Sequence, residues 1–428
     1  MLTSIDRVSH YAYFALIAVL PLHTVFVRAQ VAWKPWIALL ILVAVLDWFV
    51  GGGFPWPRRA AMGVLIFLTA TLVSWPGLRS TGRFWTLWLA LCLGGVLLLV
   101  VGRRKSLFDQ TLKVIFWSGA AMGVTAFLIA MVTIGVFGDG LSDVLNDLPL
   151  IDRLNKPAYL SSGFIALTNW HQDPGYAALW ANVWFVLGAF AWVRGVVRAP
   201  SWVGPAVLGG LALTTLLTYS RTGWLGLIVG SAALLVAHWR AKGLEVAIAA
   251  KLLGLAFVVA TLLLSILIAI DPRGVGGDIV TALEFRISYL AELGIIDTGD
   301  VGVVDPDLVV PDVRTEVWAR YWHRFLDSPV RGTGLGSGWA ETGLQEPHNM
   351  WLELLAETGL IGLLGFSTLI ASLWSRTRPE VVVAGVVVLL AALTQTVLFE
   401  PVLWLVLGLW VASAPVKSFS EGSLIEVE

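Results

Sequence analysis

Long apolar runs separated by short polar gaps dominate the chain. A helix needs about 20 predominantly apolar residues to cross the hydrocarbon core of a bilayer. Most gaps contain Gly, Pro, Trp or charged residues, as helix ends at a membrane surface commonly do. We therefore predict about twelve transmembrane helices, at residues 11–27, 35–50, 60–77, 84–101, 114–136, 175–193, 202–219, 222–239, 247–270, 350–373, 380–397 and 399–414. No small-residue cleavage pattern follows the first run promptly, so we expect that run to be retained as a span.

The longest polar stretch lies between the ninth and tenth predicted spans, at residues 271–349. Its part PDVRTEVWARYWHRFLDSPVRGTGLGSG predicts an amphipathic helix followed by a glycine-rich turn. A stripe of aromatic residues on such a helix packs against protein or the bilayer surface more often than it binds a sugar. The run GTGLGSG lacks the GK[ST] ending of a nucleotide-binding loop, so we expect a flexible turn that lets a bulky substrate approach. The stripe consists of Trp318, Tyr321, Trp322 and Phe325.

Composition supports a membrane protein. Of the 428 residues, 57% are hydrophobic and 13% are charged, which is roughly half the charged fraction of a typical soluble protein. We predict an all-α integral membrane protein with one polytopic domain, residues 1–428, and one large loop, residues 271–349, that contains amphipathic helices. The net charge of −1 gives no reason to expect nucleic acid. The single cysteine, Cys92, lies in an apolar run and is expected to be a buried hydrophobic residue.

Lysine and arginine are distributed unequally between alternate gaps. One set of gaps holds fifteen of them, and the short gaps of the other set hold seven. Because cytoplasmic loops carry the excess of Lys and Arg, we place the first set and both termini in the cytoplasm. The segment 271–349, the gap before Tyr176 and the turn at Arg221 then share the outer face. The fifteen residues are Arg7, Arg58, Arg59, Arg103, Arg104, Lys105, Lys113, Arg194, Arg198, Arg240, Lys242, Lys251, Arg376, Arg378 and Lys417.

Arg221 stands in LLTYSRTGWLG, where one predicted span ends and the next begins with almost no loop. An arginine at a helix end can simply extend to the interface. Its planar guanidinium is also the side chain best suited to bind phosphate, because it donates two parallel hydrogen bonds and keeps its charge. Held on a tight turn at headgroup depth, Arg221 is a candidate to bind a lipid-borne phosphate.

His348 precedes the tenth predicted span, in EPHNMWLELLAETGLIG. Pro347 is typical of a helix start, and Asn349 or Glu346 can cap the helix. The positive end of the helix dipole disfavours protonation of the imidazole, and a neutral histidine at an outer membrane surface is a candidate general base. A merely capping or hydrogen-bonding histidine is the alternative. No HExxH spacing or GxSxG elbow accompanies His348, so neither a metal site nor a serine nucleophile is indicated.

Three motifs together resemble the O-antigen ligase and polymerase superfamily. They are SRTGWLG at 220–226, an arginine-plus-tryptophan element followed by SPVRGTGLGSG, and PHNMWLELLAETGLIG at 347–362. Their order agrees along roughly the last half of the chain. Upstream, NWHQDPGYAALW resembles a looser family motif, but Asp173 and Pro174 stand where that motif has Asn-Pro. Roles for His171 and Asp173 therefore carry over only weakly.

The resemblance implies a glycosyltransferase of the Gram-negative inner membrane with its active site facing the periplasm. Its donor would be undecaprenyl-diphosphate-linked O-antigen and its acceptor lipid A–core. In this interpretation Arg221 and Arg314 stabilise the leaving diphosphate, and His348 takes the acceptor's proton. Asn349, Asp173 and Glu346 are supporting candidates. We expect neither cofactor nor metal, since Asp305-Pro306-Asp307 is more typical of a solvated acidic turn than of a metal-binding DxD pair.

Other functions remain compatible with the same residues. A polymerase would use a second lipid-linked glycan as acceptor, and a protein O-oligosaccharyltransferase would use a protein. A transporter, the alternative from another class, would place ionisable residues along a path at mid-membrane. Glu353, Glu357 and Glu400 are the residues that leave this alternative open, and the sequence does not assign their roles.

Overall fold

The computed structural model describes residues 4–22, 35–51, 56–75, 81–133, 158–159, 165–166, 174–239, 243–270, 313–338, 347–373 and 377–414. Within these residues the fold is helical, apart from one antiparallel pair of two-residue strands, Ala158–Tyr159 (β1) and Ile165–Ala166 (β2). Most of the predicted outer loop, including residues 271–312 and 339–346, lies outside the described residues. The proposal that 271–349 forms one external loop therefore stays a prediction.

Thirteen α-helices occur in the described part of the chain. By length and composition α4, α5, α6, α8, α9 and α11 can cross a membrane, and α2, α7, α12 and α13 are shorter apolar helices. The helices are α1 (Ser4–Val19), α2 (Pro35–Gly51), α3 (Arg58–Leu72), α4 (Thr81–Arg103), α5 (Phe108–Thr133), α6 (Pro174–Val193), α7 (Val203–Leu217), α8 (Arg221–Trp239), α9 (Gly243–Ile270), α10 (Val313–Asp327), α11 (Met350–Leu373), α12 (Pro379–Ala391) and α13 (Pro401–Ala412).

The helical, multi-pass character predicted from the sequence is thus confirmed, whereas the number of twelve spans stays a prediction. Each predicted span overlaps one helix, and α10 is the predicted amphipathic helix. Three ends differ by six or seven residues, and one of them is the start of α5, at Phe108 rather than residue 114. Helix α1 begins at Ser4 rather than residue 11, and the polar Ser9 in this added part is buried with a partner, Asp47. Helix α12 ends at Ala391 rather than residue 397, and a polar turn with Thr394 and Thr396 follows it.

Helix α6 lies at the centre of the packing. It is buried on all sides and packs against α5, α7, α8 and α12. Asn182, in the middle of α6, donates to the carbonyl of Gly223 at 2.8 Å and accepts from the hydroxyl of Thr215 at 3.0 Å. A buried amide with satisfied hydrogen bonds fixes its neighbours in register. Asn182 therefore holds α7 and the start of α8 at fixed positions beside α6.

Ion pairs join the helix ends that we predict to face the cytoplasm. Asp47 at the end of α2 accepts two bonds of 2.8 Å from Arg104, whose guanidinium also donates to Ser9 at 2.7 Å. Burial lowers the pKa of the Arg104 guanidinium, and the adjacent Asp47 carboxylate opposes that change. Arg194 pairs with the buried Glu380 at 2.7 Å. Acidic partners thus balance part of the basic charge at this end of the bundle.

Candidate functional site

The turn that carries Arg221 is built by two backbone devices. Tyr219 is buried and adopts a positive φ of 49°, which ends α7 abruptly. The hydroxyl of Ser220 then accepts a hydrogen bond of 3.2 Å from the backbone N–H of Gly223, as an N-cap does. Arg221 is the first residue of α8, and its side chain is exposed. A two-helix corner of this kind fixes the Arg221 backbone without a flexible loop.

His348 occupies a second special backbone position. Its φ is +46°, in the left-handed region that non-glycine residues rarely adopt. Backbone conformations of this sort cluster at functional sites, where the surrounding structure maintains them. The ring is half-buried, and its Nδ1 atom is buried without a hydrogen-bond partner among the described residues. Those residues therefore do not fix the tautomer of the imidazole.

Asn349 caps α11, as one of the two alternatives from the sequence predicted. Its side-chain oxygen accepts hydrogen bonds of 3.1 Å from the backbone N–H groups of Trp351 and Leu352. The carbonyl of Asn349 accepts from Glu353 N–H at 3.0 Å. His348 is thus the residue directly before the N-cap, next to the positive end of the helix. Because the Asn349 oxygen is committed to the cap, only its amide NH₂ is available to orient a neighbour.

Helix α10 is tied directly to this histidine segment. The indole N–H of Trp318 donates a 2.7 Å hydrogen bond to the carbonyl oxygen of Pro347. On the buried side of the helix, Val317 and Tyr321 pack against Ala356 of α11. The predicted aromatic stripe is therefore divided, because Tyr321 is buried against protein whereas Trp318 and Trp322 are exposed. Helix α10 also contains Arg314, in its first turn.

A short polar turn after α12 connects three parts of the predicted site. The backbone N–H of Met350 donates to the carbonyl of Ala392 at 2.9 Å. The hydroxyls of Thr222 and Thr394 are hydrogen-bonded to each other. The hydroxyl of Tyr176 donates to the carbonyl of Thr396 at 3.2 Å. We call residues 392–396 the junction turn, since it joins the starts of α6, α8 and α11.

The junction turn was not identified from the sequence. The sequence assigns its residues ALTQT to the end of an apolar span, because the two flanking apolar helices, α12 and α13, dilute their polarity in any long hydropathy window. The turn brings Arg221 and His348 to the same end of the bundle, because it contacts Thr222, directly after Arg221, and Met350, two residues after His348. It also positions Pro174, the residue after Asp173. The described residues of these three regions therefore lie at one end of the bundle, and their location on the outer face of a membrane stays a prediction.

Helix α11 is interrupted in its middle. Gly359 has φ 64° and ψ −165°, a conformation outside the helical region, so the local i to i+4 hydrogen bonds are lost. The segment 329–334 supplies the missing partners. Thr333 and Gly334 donate to the carbonyls of Ala356 and Glu357 at 3.0 and 2.8 Å, while Leu360 and Ile361 donate to the carbonyls of Pro329 and Val330 at 2.8 and 3.0 Å. The glycine-rich sequence is thus a hydrogen-bonded strap across the kink, which replaces the flexible turn expected from the sequence.

Two glycines make this close approach possible. A Cβ atom at Gly332 would collide with the backbone of Glu357, and one at Gly359 would collide with the backbone of Gly332 and Val330. Both residues also have positive φ, a conformation that glycine adopts without the steric cost that side chains incur. The two glycines therefore allow the strap to contact the kink. The sequence instead predicts a turn that a substrate approaches.

Glu357 holds the far end of the strap. Its buried carboxylate accepts hydrogen bonds from the backbone N–H of Gly336 at 2.8 Å and of Gly338 at 3.3 Å. The guanidinium groups of Arg83 and Arg324 interact with it electrostatically. These bonds support a structural role for Glu357 over the role of a mid-membrane proton site. Glu400, likewise, lies at the start of α13 and accepts from the indole of Trp180 at 3.4 Å.

Arg83 is a basic residue that sequence reasoning did not single out. It lies in the first turns of α4, and its side chain packs against Gly336. In the sequence Arg83 is one of the seven Lys and Arg residues in the set of gaps that we predict to face outward, and no motif distinguishes it from the others. Its contact partner lies far along the chain, and no local pattern reports such a pairing.

The remaining candidates are distributed as follows. Asp173 and Glu346 lie outside the described residues, as do His171 and the acidic turn 305–307. Three other arginines near Arg314 in the sequence, Arg320, Arg324 and Arg331, are further candidates to contact the donor. Arg320 pairs with Glu316, and Arg331 is exposed. Arg324 donates to the carbonyl of Gly338 at 3.4 Å. In the described residues no three His, Cys, Asp or Glu side chains are grouped as metal ligands, and the metal-independent mechanism stays a prediction.

A comparison with known protein families finds one match. Residues 206–367 match the O-antigen ligase family. The matched O-antigen ligase segment begins in α7, ends within α11 and contains Arg221, Arg314 and His348. It confirms the resemblance seen in the three motifs. Members of this family are glycosyltransferase-like enzymes of O-antigen processing. No curated protein matches the chain.

Proposed function

We propose that the protein is an O-antigen ligase of the Gram-negative inner membrane. It transfers O-antigen polysaccharide from undecaprenyl diphosphate to a sugar hydroxyl of lipid A–core, on the periplasmic side. The observation that carries the proposal is the junction turn, which contacts both the start of α8 at Thr222 and the start of α11 at Met350. A candidate anion-binding arginine and a candidate base, both within the segment that matches the family, thus lie near one turn.

The reaction uses these groups in one displacement step. The acceptor hydroxyl forms a bond to the anomeric carbon of the donor sugar, and its proton passes to a ring nitrogen of His348. The bond between that carbon and the diphosphate oxygen breaks, and its electron pair stays on the departing diphosphate. Arg221 and Arg314 stabilise the added negative charge. Attack opposite the leaving group inverts the anomeric centre.

The strap and kink support an enzyme over a transporter. Glu357 is the acidic residue deepest in α11 that left transport open, and it is engaged by two backbone N–H groups. A group held in this way is poorly suited to exchange protons or ions with a moving substrate. Instead, the bonds between the strap and α11 connect the C-terminal end of α10 to the helix that His348 precedes.

Reconstitution in liposomes tests the proposal. The purified protein receives undecaprenyl-diphosphate-linked glycan together with lipid A–core, with a second portion of lipid-linked glycan, or with an acceptor protein. Glycan bound to lipid A–core is the expected product. Longer lipid-linked glycan would identify a polymerase, and glycosylated protein would identify an oligosaccharyltransferase. Movement of the donor across the bilayer without any product would overturn the enzyme assignment.

A further inference from the structure

An exposed apolar ridge runs along α10 and continues beyond it. It consists of Trp318, Trp322, Leu326 and Val330, whose side chains are 37, 48, 54 and 58% exposed. The spacing of four residues places the first three on one side of the helix. Val330 extends the ridge into the strap. Four large apolar side chains in a row are more than the scattered exposed hydrophobics that a water-facing surface normally shows.

The other two sides of α10 have different surroundings. One side packs against α11 through Val317 and Tyr321. The other is polar and exposed, with the Glu316–Arg320 ion pair and His323. A helix with one protein-facing, one apolar exposed and one polar exposed side fits a position at a boundary between a protein, lipid and water. Tryptophan at two of the ridge positions agrees with the headgroup level of a bilayer.

The ridge is continuous with the lipid-exposed surface of a candidate membrane span. The carbonyls of Pro329 and Val330 accept hydrogen bonds from Leu360 and Ile361 of α11. In α11 the side chains of Leu360 and Leu364 are 44 and 65% exposed. Because α11 is long and apolar enough to cross a membrane, its exposed leucines face lipid acyl chains. Val330 therefore lies next to a surface that is already in the bilayer.

From this continuity we propose that α10 lies on the membrane with its apolar ridge inserted into the leaflet on the His348 side. Leu326 and Val330 reach the acyl chains, and Trp318 and Trp322 lie at headgroup depth. The strap then enters the membrane beside the kink of α11, where its backbone groups are satisfied by that helix, as non-helical backbone at membrane depth requires. The proposal depends on the membrane placement of α11 and not on the transfer reaction.

Depth-dependent fluorescence quenching tests this placement. Cys92→Ser removes the only native thiol, and single cysteines are introduced as Trp322→Cys, Leu326→Cys or Val330→Cys, with His323→Cys as the control on the polar side. Each is labelled with a small environment-sensitive dye in nanodiscs. We expect lipids brominated in the acyl chains to quench the dye at 326 and 330 strongly and at 322 less, with a blue-shifted emission. Aqueous iodide should quench the dye at 323.

The same measurements distinguish the other possible occupants of the ridge. Equal quenching by iodide at 322, 323 and 326 would show a ridge in water and overturn the proposal. Protection from both quenchers at 322 and 326 would show a ridge covered by protein and would also overturn it. In that case disulfide cross-linking of the Trp322→Cys protein would identify a second copy of the chain as the covering partner. Size-exclusion chromatography of every labelled variant confirms that the quenching reports folded protein.

Discussion

The indole N–H of Trp318 donates a hydrogen bond of 2.7 Å to the carbonyl oxygen of Pro347, the residue directly before His348. This bond connects the helix that carries Arg314 with the segment that carries the candidate base. It also holds a carbonyl next to a residue whose φ is positive. Together with the packing of Val317 and Tyr321 against Ala356 of α11, we expect this bond to set the relative position of the two functional groups.

We therefore expect Trp318→Phe to reduce transfer while leaving the fold intact. Phenylalanine keeps most of the ring but removes the donor, and a misplacement of about 1 Å can cost about 10²-fold in rate. The loss should appear mainly in kcat, because the variant disturbs alignment more than donor binding. Trp322→Phe, a neighbouring exposed tryptophan on the same helix, serves as the control. Equal activity of both variants would show that the bond to Pro347 does not align the site.

His348→Ala should abolish most transfer. Loss of a general base typically costs about 10²–10⁴-fold, and donor binding should remain because the base acts on the acceptor. The measurement is glycan transfer to lipid A–core, together with binding of the lipid-linked donor by the purified variant. His323→Ala, an exposed histidine of α10, should retain activity. A folded His348→Ala protein with normal transfer would reduce this residue to part of the helix start, and Asp173 and Glu346 would be tested next.

Lysine at Arg221 or Arg314 should impair transfer strongly without unfolding the protein. Lysine keeps the positive charge but loses the planar pair of donors that matches a phosphate. Transfer rates as a function of donor concentration measure the effect, and Arg59→Lys, at an exposed position on the opposite end of the bundle, is the control. If both variants keep full activity, recognition of the diphosphate by these arginines is excluded, and Arg83 and Arg324 become the candidates.

Replacement of Glu357 should destabilise the protein in a predictable order. The N–H groups of Gly336 and Gly338 bond to different carboxylate oxygens, so Glu357→Gln keeps an acceptor for only one of them and removes the charge near Arg83 and Arg324. Glu357→Leu leaves both N–H groups buried and unsatisfied, at a cost of about 1–3 kcal/mol for each. Thermal unfolding in detergent should therefore rank wild type above Gln and Gln above Leu. Glu316→Gln, on the exposed side of α10, should have little effect, and an inverted ranking would refute the strap contact.

Alanine at Gly359 or Gly332 should lower stability clearly. Both residues have positive φ, and an added Cβ would collide with the backbone across the strap, so a cost of about 1–3 kcal/mol is expected from conformational strain alone. Gly254→Ala is the matched control. It lies within α9 with open space around its Cβ position, so alanine there should gain about 0.5–1 kcal/mol of helix stability. Thermal unfolding should show a lower stability than wild type for Gly359→Ala and Gly332→Ala, and a higher one for Gly254→Ala.

The sequence predicted the helices well, because hydropathy and length are local properties. It also predicted a tight turn at Arg221, where two apolar runs almost meet, and gave Asn349 as one of two candidate caps of α11, the other being Glu346. It did not predict the kink of α11. Gly359 is one small residue within a continuous apolar run, and the hydrogen bonds that satisfy the backbone around it come from residues 329–334, in the connection between α10 and α11. The sequence leaves the role of Glu357 open for the same reason, because the N–H donors and the arginine charges around its carboxylate are all supplied by distant segments.

The amphipathic helix shows a different limit. Spacing placed Trp318, Tyr321, Trp322 and Phe325 on one broad face, and helical periodicity alone treats such a face as a unit. Only the position of α11 divides it, since Ala356 covers Tyr321 and leaves Trp318 and Trp322 outside. A period in the sequence gives the direction of side chains around one helix. It does not give the direction from which a second helix approaches.

The junction turn has a consequence for how this protein tolerates change. Two of its three connections are made by the main-chain oxygens of Ala392 and Thr396, which every amino acid possesses. The side chains at 392 and 396 can therefore be exchanged without removing those bonds, as long as the path of the chain is kept. Adding or deleting one residue there would displace the carbonyls themselves, and the hydrogen bonds that hold the starts of α6 and α11 to this turn would be lost. At this turn the site geometry therefore depends more on the number of residues than on their identity.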